Sequence, residues 1–253
     1  MLGQAHRSRV MQEYWQPRNA LARYKHLLRS IIRPGVTVLH AGCGWDKNDV
    51  TRPYAASNVI IGVDIDPRVA HRFHSAFCLA SLTALPFQTA SFDLVCSEYV
   101  FEHLEDPGAA LSEISRVLVP GGAALILTPN LYSYKTIVAN VTPYRFHLAL
   151  GRVRYGPGHE PDMYPTRYRC NSASRFHSLA TSAGLAVRTV EFVSNGPTWF
   201  EKFPVLFELG HAFHVLTDQS EMMGPLRCNL VVWVEKPIRS ARRDEPLAAG
   251  KRE

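Results

Sequence analysis

The sequence lacks both a disulfide pattern and a long apolar run. Five cysteines are scattered along it with no CxxC pair, and an odd number cannot pair completely. Such usage is typical of proteins in a reducing compartment. The first ten residues, MLGQAHRSRV, carry no apolar stretch of the kind found in secretion signals, and no segment reaches the roughly eighteen uninterrupted apolar residues of a membrane span. We therefore expect a cytoplasmic protein without a membrane-spanning segment.

Acidic residues are fewer than basic ones, which leaves a formal net charge of +6. Residues 236–253 hold six basic and three acidic side chains, so six minus three gives +3, half of that excess. We interpret residues 237–253 as a flexible basic tail. Because so much of the charge lies in the tail, it does not argue for nucleic acid as a partner.

Short apolar runs rich in β-branched residues alternate with helical periods along the first half of the chain. Residues 107–118 repeat apolar positions at intervals of three and four, and Pro120-Gly121-Gly122 follows as a helix stop. This alternation predicts an α/β fold, with a parallel sheet covered by helices on both faces. The predicted strands are VTVLHA (36–41), NVIIGVDID (58–66), SFDLVCSEY (91–99) and AALILTPN (123–130).

The remaining segments extend this fold at both ends. A helical period over residues 10–32 predicts an N-terminal helical cap at 1–35. The main domain at 36–236 contains an irregular insertion at about 131–170, which we interpret as a lid. Its later elements are predicted as a helix capped by Asn171 or Ser172 and ended by Gly184, strands at 185–193 and 227–236, and a helix at 203–216.

A glycine turn and an aspartate indicate a nucleoside-containing cofactor. Gly42 and Gly44 follow the first strand, where a missing Cβ lets a ligand approach the backbone. Asp64 ends the second strand, where a carboxylate accepts both hydroxyl protons of a ribose. The dinucleotide pattern G-x-G-x-x-G fails because Lys47 replaces its third glycine, and Asp46 brings negative charge to the pyrophosphate position. A cationic cofactor without phosphate, S-adenosylmethionine, is favoured over NAD; an ordinary turn with a surface aspartate is the alternative.

Four ordered stretches resemble class I S-adenosylmethionine-dependent methyltransferases. They are VLHAGCGWD, VIIGVDIDP, LTALPFQTASFDLVCSEYVFEHLEDP and EISRVLVPGGAALILTPN, and they cover about residues 36–130. The most similar branch modifies small molecules and contains ubiquinone- and sterol-type enzymes. The resemblance implies a Rossmann-like, doubly wound, mostly parallel seven-stranded sheet with helices on both faces. It also implies S-adenosylmethionine as cofactor and S-adenosylhomocysteine as product.

The resemblance further implies a place for each cofactor contact. The methionine portion would lie over the glycine turn and face the end of the third predicted strand, while the ribose and adenine would lie by the second. The implied residues are Gly42, Cys43, Gly44, Ser97 and Glu98 for the methionine portion, Asp64 for the ribose, and Ile65, Ser81 and Leu82 for the adenine.

Three positions depart from the family pattern. His40 and Ser81 stand where the family carries acidic residues, and Asp46 stands where it usually has glycine. We expect Asp46 to supply the carboxylate that position 40 lacks, with a helix cap as the open alternative. Ser81 is expected to accept from the adenine more weakly than a carboxylate. We keep His40 among the cofactor-binding candidates, although the sequence assigns it no chemistry.

Methyl transfer from a sulfonium is an in-line displacement, so the protein mainly aligns the acceptor and excludes water. An oxygen acceptor also benefits from a general base. The candidates are His103 and Glu102 in FEHL, followed by His159 in the predicted lid. A packing role is the alternative for His103.

The predicted lid combines arginines with tyrosines, which suits an anionic or sugar-containing small molecule. We expect O-methylation of a sugar-containing or secondary-metabolite acceptor. A non-catalytic cofactor-binding module and a nucleic-acid methyltransferase are the alternatives. The apolar segment at 199–216 suits a core helix, although a second lid, a homodimer face or a surface for a lipid-linked acceptor would use the same residues. No metal site is expected, because His211 and His214 lack a third ligand.

Overall fold

Seven strands form a single sheet in a computed structural model that describes residues 3–45, 48, 50–69, 75–141 and 164–238. The strand order is β3-β2-β1-β4-β5-β7-β6. Strands β1 to β5 pair in parallel, and β7 runs antiparallel to both β5 and β6. This confirms the predicted Rossmann-like, mostly parallel sheet. The strands are β1 (Thr37–Ala41), β2 (Val59–Asp64), β3 (Ala76–Leu79), β4 (Phe92–Glu98), β5 (Leu118–Pro129), β6 (Ala186–Val193) and β7 (Asn229–Glu235).

Helices connect the strands and cover both faces of the sheet. Short turns of π- or 3₁₀-helix occur at Val10–Trp15, Gln16–Arg18, Arg52–Tyr54, Thr198–Phe200 and Glu221–Leu226. The α-helices are α1 (Gln4–Arg9), α2 (Ala20–Ile31), α3 (Pro107–Val117), α4 (Tyr134–Val141), α5 (Ala173–Ser182) and α6 (Pro204–Asp218). None of the helices in the described ranges combines the length and apolarity that crossing a bilayer requires.

Two apolar cores fill the spaces between the sheet and its helices. Successive side chains of a strand point to opposite faces, and β4 shows this clearly. Val95 belongs to the core that also holds side chains of α3 and α5, whereas Leu94 and Cys96 belong to the core beneath α2. Burial of apolar residues on both faces explains why these strands read as continuous apolar runs.

The helix boundaries follow the expected cap residues. The Ser172 side chain accepts from the amide of Arg175 at the start of α5, and Gly184 adopts a φ of +77° just after its end. The single helix predicted over residues 10–32 is wrong. The chain leaves the helical path at Asn19, which caps α2 by accepting from the amide of Ala22, and Pro17 lies in the short turn before it.

Two strand predictions need correction. Strand β3 was not predicted, because Ala76–Leu79 is only four residues long and lies at the sheet edge. Strand β5 begins at Leu118 rather than at 123, and its pairing with β4 shifts register between Phe92 and Leu94. The Pro120-Gly121-Gly122 stop does end α3 as predicted, but the chain passes through it as an irregular part of the strand.

The prediction of a core helix at 203–216 is correct for one face of α6 only. Phe207, Gly210 and His214 are buried, whereas Val205 and Leu209 are largely exposed. Whether this exposed face forms a homodimer or contacts a lipid-linked acceptor stays a prediction. Residues 142–163 of the predicted lid and 239–253 of the predicted tail lie outside the described residues, and the proposed domain boundaries stay predictions too.

Candidate functional site

A cavity of about 830 Å³ opens at the carboxyl ends of β1, β2 and β4. This is where the strand order changes direction, since the chain runs from β1 outward to β3 and then returns to β4 on the other side of β1. Open α/β sheets bind ligands at such a switch point. The residues from the sequence analysis that line the cavity are Gly42, Cys43, Gly44, Asp64, Ile65, Ser81, Leu82, Glu98 and His103.

The glycine turn after β1 presents backbone rather than side chain to the cavity. Gly42 and Gly44 have φ values of +71° and +49°, in the left-handed region that favours glycine. A Cβ on Gly42 would clash with a methyl carbon of Val100. The amides of Gly42 and Cys43 both donate to the carbonyl of Val63 in β2, at 2.8 and 3.0 Å. The turn is therefore fixed to the neighbouring strand, and only glycine fits its first position without strain.

Asp64 ends β2 with its carboxylate at the cavity wall. One oxygen accepts from the amide of Gly44 at 2.8 Å, and the other accepts from the amide of Asp66 at 2.9 Å. Each carboxylate oxygen has a second lone pair, so both can still accept a hydroxyl proton. The next residue, Ile65, is 63% exposed beside the cavity, where an aromatic base would cover it. These residues fit the ribose and adenine of S-adenosylmethionine.

The adenine side of the cavity carries hydroxyls and one carboxylate that was not predicted there. The Ser81 hydroxyl lies 2.8 Å from that of Thr83 and accepts from the Thr83 amide at 3.2 Å. Leu82 is buried beneath them. Asp106 lines the same cavity while it caps α3 through the amide of Ala109. Nothing in the sequence indicated that Asp106 faces a ligand.

His40 and Glu98 form a buried pair between β1 and β4. His40 is fully buried and does not line the cavity, and its Nε2 lies 3.0 Å from Oε1 of Glu98. Its Nδ1 lies 3.3 Å from the hydroxyl of Thr51. Glu98 does line the cavity, and its second oxygen, Oε2, is buried without a hydrogen-bond partner in the described part of the chain. Within the part of the chain that the structure describes, Glu98 links His40 to the cavity.

Ser97 is buried within β4 and does not line the cavity. Its backbone amide donates to the Tyr24 hydroxyl at 3.0 Å, and that hydroxyl donates to the carbonyl of Leu125 at 3.0 Å. Burial raises the pKa of Tyr24, which keeps its proton on the oxygen. The structure therefore places Ser97 in the junction that ties α2 to the sheet, just beneath Glu98.

His103 lines the cavity with its imidazole fixed in one orientation. Its Nδ1 donates to the carbonyl of Pro165 at 3.0 Å, so in the neutral ring the lone pair is on Nε2. Burial lowers the pKa of His103 below its usual value, and the bond to Pro165 only partly offsets this. At neutral pH the ring is uncharged, which is the state that a general base requires.

Glu102 is buried and does not line the cavity, and its role as a base stays a prediction. Its Oε2 accepts from the hydroxyl of Thr128 at 3.1 Å, and its Oε1 is 3.9 Å from Nε2 of His103. Burial raises the pKa of this carboxyl to about 8. The backbone carbonyl of Glu102 accepts from the amides of Arg167 and Tyr168, so the residue anchors the returning chain.

Two tyrosines also line the cavity: Tyr164 belongs to the predicted lid, whereas Tyr99 was not predicted there. Tyr164 lines the cavity, donates its hydroxyl to Asp66 at 2.7 Å and contacts His103 edge-on at 6.0 Å between ring centroids. Tyr99 ends the β4 region with a φ of +58°, an unusual conformation for a non-glycine residue. Strained residues concentrate at functional sites, and that conformation would be the only clue to Tyr99.

A second cavity, of about 520 Å³, shares Tyr99 and Asn48 with the first. Its wall is formed by the N-terminal segment and by the loop after β6, and no lysine or arginine occurs in its described lining. Asn195 donates to the Tyr99 hydroxyl and accepts from the amide of Ala20 at 2.9 Å, so it joins the two walls. The polar lining residues are Ser8, Gln12, Gln16, Asn19, Asn48, Tyr99, Asn195, Thr198 and Glu201.

Two candidates from the sequence, Asp46 and His159, lie outside the described residues, and their roles stay predictions. Among the residues that are described, no group of three His, Cys, Asp or Glu side chains suits a metal ion. His211 accepts from Trp15 and His214 pairs with Tyr134, so both imidazoles contact aromatic neighbours.

Comparison with known proteins supports this interpretation of the cavity. Residues 39–126 match the family described as "Methyltransferase domain". The chain is 28% identical over 191 residues to a Mycolicibacterium smegmatis protein named a probable S-adenosylmethionine-dependent methyltransferase, with 73% of this chain and 64% of the relative covered. It is 37% identical over 118 residues to an Erwinia billingiae malonyl-[acyl-carrier protein] O-methyltransferase, with 44% of this chain and 46% of the relative covered. The chain thus spans less than two thirds of the length of either relative.

The fold also occurs in solved structures. A Mesorhizobium loti S-adenosylmethionine-dependent methyltransferase superposes with a TM-score of 0.53 at 16% identity, over 83% of this chain and 96% of that one. At this identity the likeness establishes the fold alone. The matched family region contains the end of β1, the glycine turn, Asp64 and His103, so the motif and the cavity coincide.

Proposed function

The chain belongs to the class I S-adenosylmethionine-dependent methyltransferases, whose cofactor is S-adenosylmethionine, and on that premise we propose that it methylates an oxygen atom of a neutral, sugar-containing small molecule. The observation that carries the proposal is His103, a neutral imidazole fixed at the wall of the cofactor cavity. When bound, the cofactor supplies a methyl group attached to a sulfonium. The thioether that remains is a good leaving group, so the methyl group needs no further activation.

The role of the protein in this proposal is to hold a hydroxyl in line and to take its proton. His103 keeps Nε2 as an acceptor because its Nδ1 donates to Pro165. Tyr164 covers the same part of the cavity and is held by Asp66, which limits access of water. The Erwinia billingiae relative is named an O-methyltransferase, which supports oxygen as the accepting atom.

The second cavity supports the choice of acceptor. The polar part of its lining consists of amides, hydroxyls and the Glu201 carboxylate, which suits a ligand with many hydroxyl groups. The absence of Lys and Arg from its described part does not favour an anion. Tyr99 and Asn48 lie between the two cavities, so an acceptor held in the second would reach the first beside them. We place the sugar portion here, against the N-terminal segment.

Two measurements test this function. Calorimetric titration with S-adenosylhomocysteine is expected to show micromolar binding, and absence of binding at high micromolar concentration would end the enzyme proposal. Incubation with S-adenosylmethionine and a panel of p-nitrophenyl glycosides is then expected to yield methylated glycoside by mass spectrometry. A duplex DNA substrate in a parallel reaction tests the nucleic-acid alternative. Cofactor binding without transfer to any member of a broad acceptor panel would instead favour the non-catalytic module.

A further inference from the structure

The carboxylate of Glu98 is incompletely satisfied at the floor of the cofactor cavity. Its side chain is only 6% exposed, and its Oε1 is hydrogen-bonded to Nε2 of His40 at 3.0 Å. Oε2 is buried without a hydrogen-bond partner in the part of the chain that the structure describes. Buried carboxylate oxygens are normally paired, so an unpaired one beside a ligand cavity indicates a missing cationic donor.

The strand order tells which end of the cofactor lies above Glu98. Asp64 at the end of β2, together with Ile65 beside it and Ser81 after β3, marks the ribose and adenine side of the cavity. Glu98 ends β4, on the opposite side of β1 and its glycine turn. A cofactor that lies across these strand ends therefore places its amino-acid portion over β1 and β4.

We propose that Glu98 binds the α-ammonium group of the cofactor's amino-acid portion, with His40 as the positioning residue that holds the carboxylate in place. This proposal rests on the proposed function. Of the charged groups at that end, the ammonium alone has N–H donors for Oε2, since a sulfonium has none and a carboxylate would be repelled. Position 40 carries no carboxylate, and its imidazole instead donates to a carboxylate from the neighbouring strand.

Paired ligands isolate this contact. S-adenosylhomocysteine has the ammonium but no sulfonium, and its deaminated analogue, 5′-deoxy-5′-(3-carboxypropylthio)adenosine, lacks only the amino group. The wild-type protein is expected to prefer S-adenosylhomocysteine by about ten- to a hundred-fold in calorimetric titrations. In Glu98→Gln most of that preference disappears, while the affinity for the deaminated analogue stays within about twofold of the wild type.

Two further variants keep the test decisive. His40→Gln is expected to reduce the preference while Glu98 is still present, which a residue with a purely packing role would not do. Asp46→Asn is expected to keep the preference, in contrast to the sequence-based expectation that Asp46 supplies the missing carboxylate. The proposal is overturned if Glu98→Gln retains the wild-type preference, or if Asp46→Asn removes it. If the wild type binds neither ligand, the proposed function fails together with this inference.

Discussion

The imidazole of His103 and the backbone carbonyl of Pro165 are joined by a 3.0 Å hydrogen bond across 62 positions of the chain. This bond does two things at once. It fixes the tautomer of the candidate base, and it ties the stretch that contains Tyr164 and Pro165 to the edge of the cavity. The imidazole of His103 and the stretch that contains Tyr164 are therefore positioned by the same contact. A substitution that displaces one of them should displace the other.

Replacing His103 by Asn separates these two roles. The Asn amide nitrogen can donate to Pro165 in place of Nδ1, but it offers no base to the acceptor. We expect kcat to fall by about 10²- to 10⁴-fold, with affinity for S-adenosylhomocysteine unchanged by calorimetry. His177→Asn, at an exposed position on α5, is the matched control and should retain full activity. A wild-type kcat in His103→Asn would remove this residue from the chemistry.

Alanine substitutions at two glycines separate the cost of a steric clash from the cost of backbone strain. Gly42 and Gly35 both have positive φ values, +71° and +84°, but only Gly42 has a neighbouring side chain where a Cβ would be. Gly35→Ala is expected to cost about 1–2 kcal/mol of unfolding free energy from strain alone. Gly42→Ala should cost more and also weaken S-adenosylhomocysteine binding, because Val100 must move. Urea unfolding and calorimetry measure the two effects, and equal losses of stability in both variants would contradict the steric argument.

Asp64 is expected to be the main polar anchor of the ribose. In Asp64→Asn an amide NH₂ replaces one acceptor and faces the backbone N–H groups that the carboxylate now accepts from. We expect the affinity for S-adenosylhomocysteine to fall by at least about tenfold. Asp93→Asn is the matched control, because Asp93 also accepts from a backbone amide, that of Thr37, but is not part of the cavity wall. An unchanged affinity in Asp64→Asn would rule out this contact.

Local patterns were enough to predict most of the fold. The apolar runs predicted β1, β2 and β4, and the cap residues located α5, because these signals depend only on neighbouring positions. The break before α2 and the four-residue β3 were missed, since a proline in one turn and a short edge strand leave weak periodic signals.

The cofactor side of the site was predictable for the same reason, since glycine turn and strand-end aspartate are local motifs. The pairing of His40 with Glu98 was not, because the two residues are 58 positions apart and meet only when β1 and β4 become neighbours. Tyr164 is likewise brought to the cavity by a return of the chain that no periodicity signals. Long-range contacts between single side chains could therefore not be predicted from the sequence alone.

The buried carboxyl of Glu102 predicts how stability depends on pH. Its pKa in the folded protein is about 8, raised by burial, against about 4.5 as the ordinary value. The folded state therefore binds the proton more tightly than the unfolded state. The contribution of this carboxyl to the free energy of unfolding is fully present below about pH 4.5. It is lost as the pH rises towards 8, at no more than about 1.4 kcal/mol per pH unit.

Glu102→Gln removes this titration while it keeps a neutral side chain that accepts from Thr128. The melting temperature of the variant relative to the wild type is therefore expected to rise steadily between pH 5 and pH 8 and to level off above. Glu105→Gln, at an exposed neighbouring position, is the matched control for the removal of a carboxylate. Thermal unfolding followed by circular dichroism at each pH measures both. A pH-independent difference for Glu102→Gln would mean that the carboxyl is already ionised in the folded protein at pH 5.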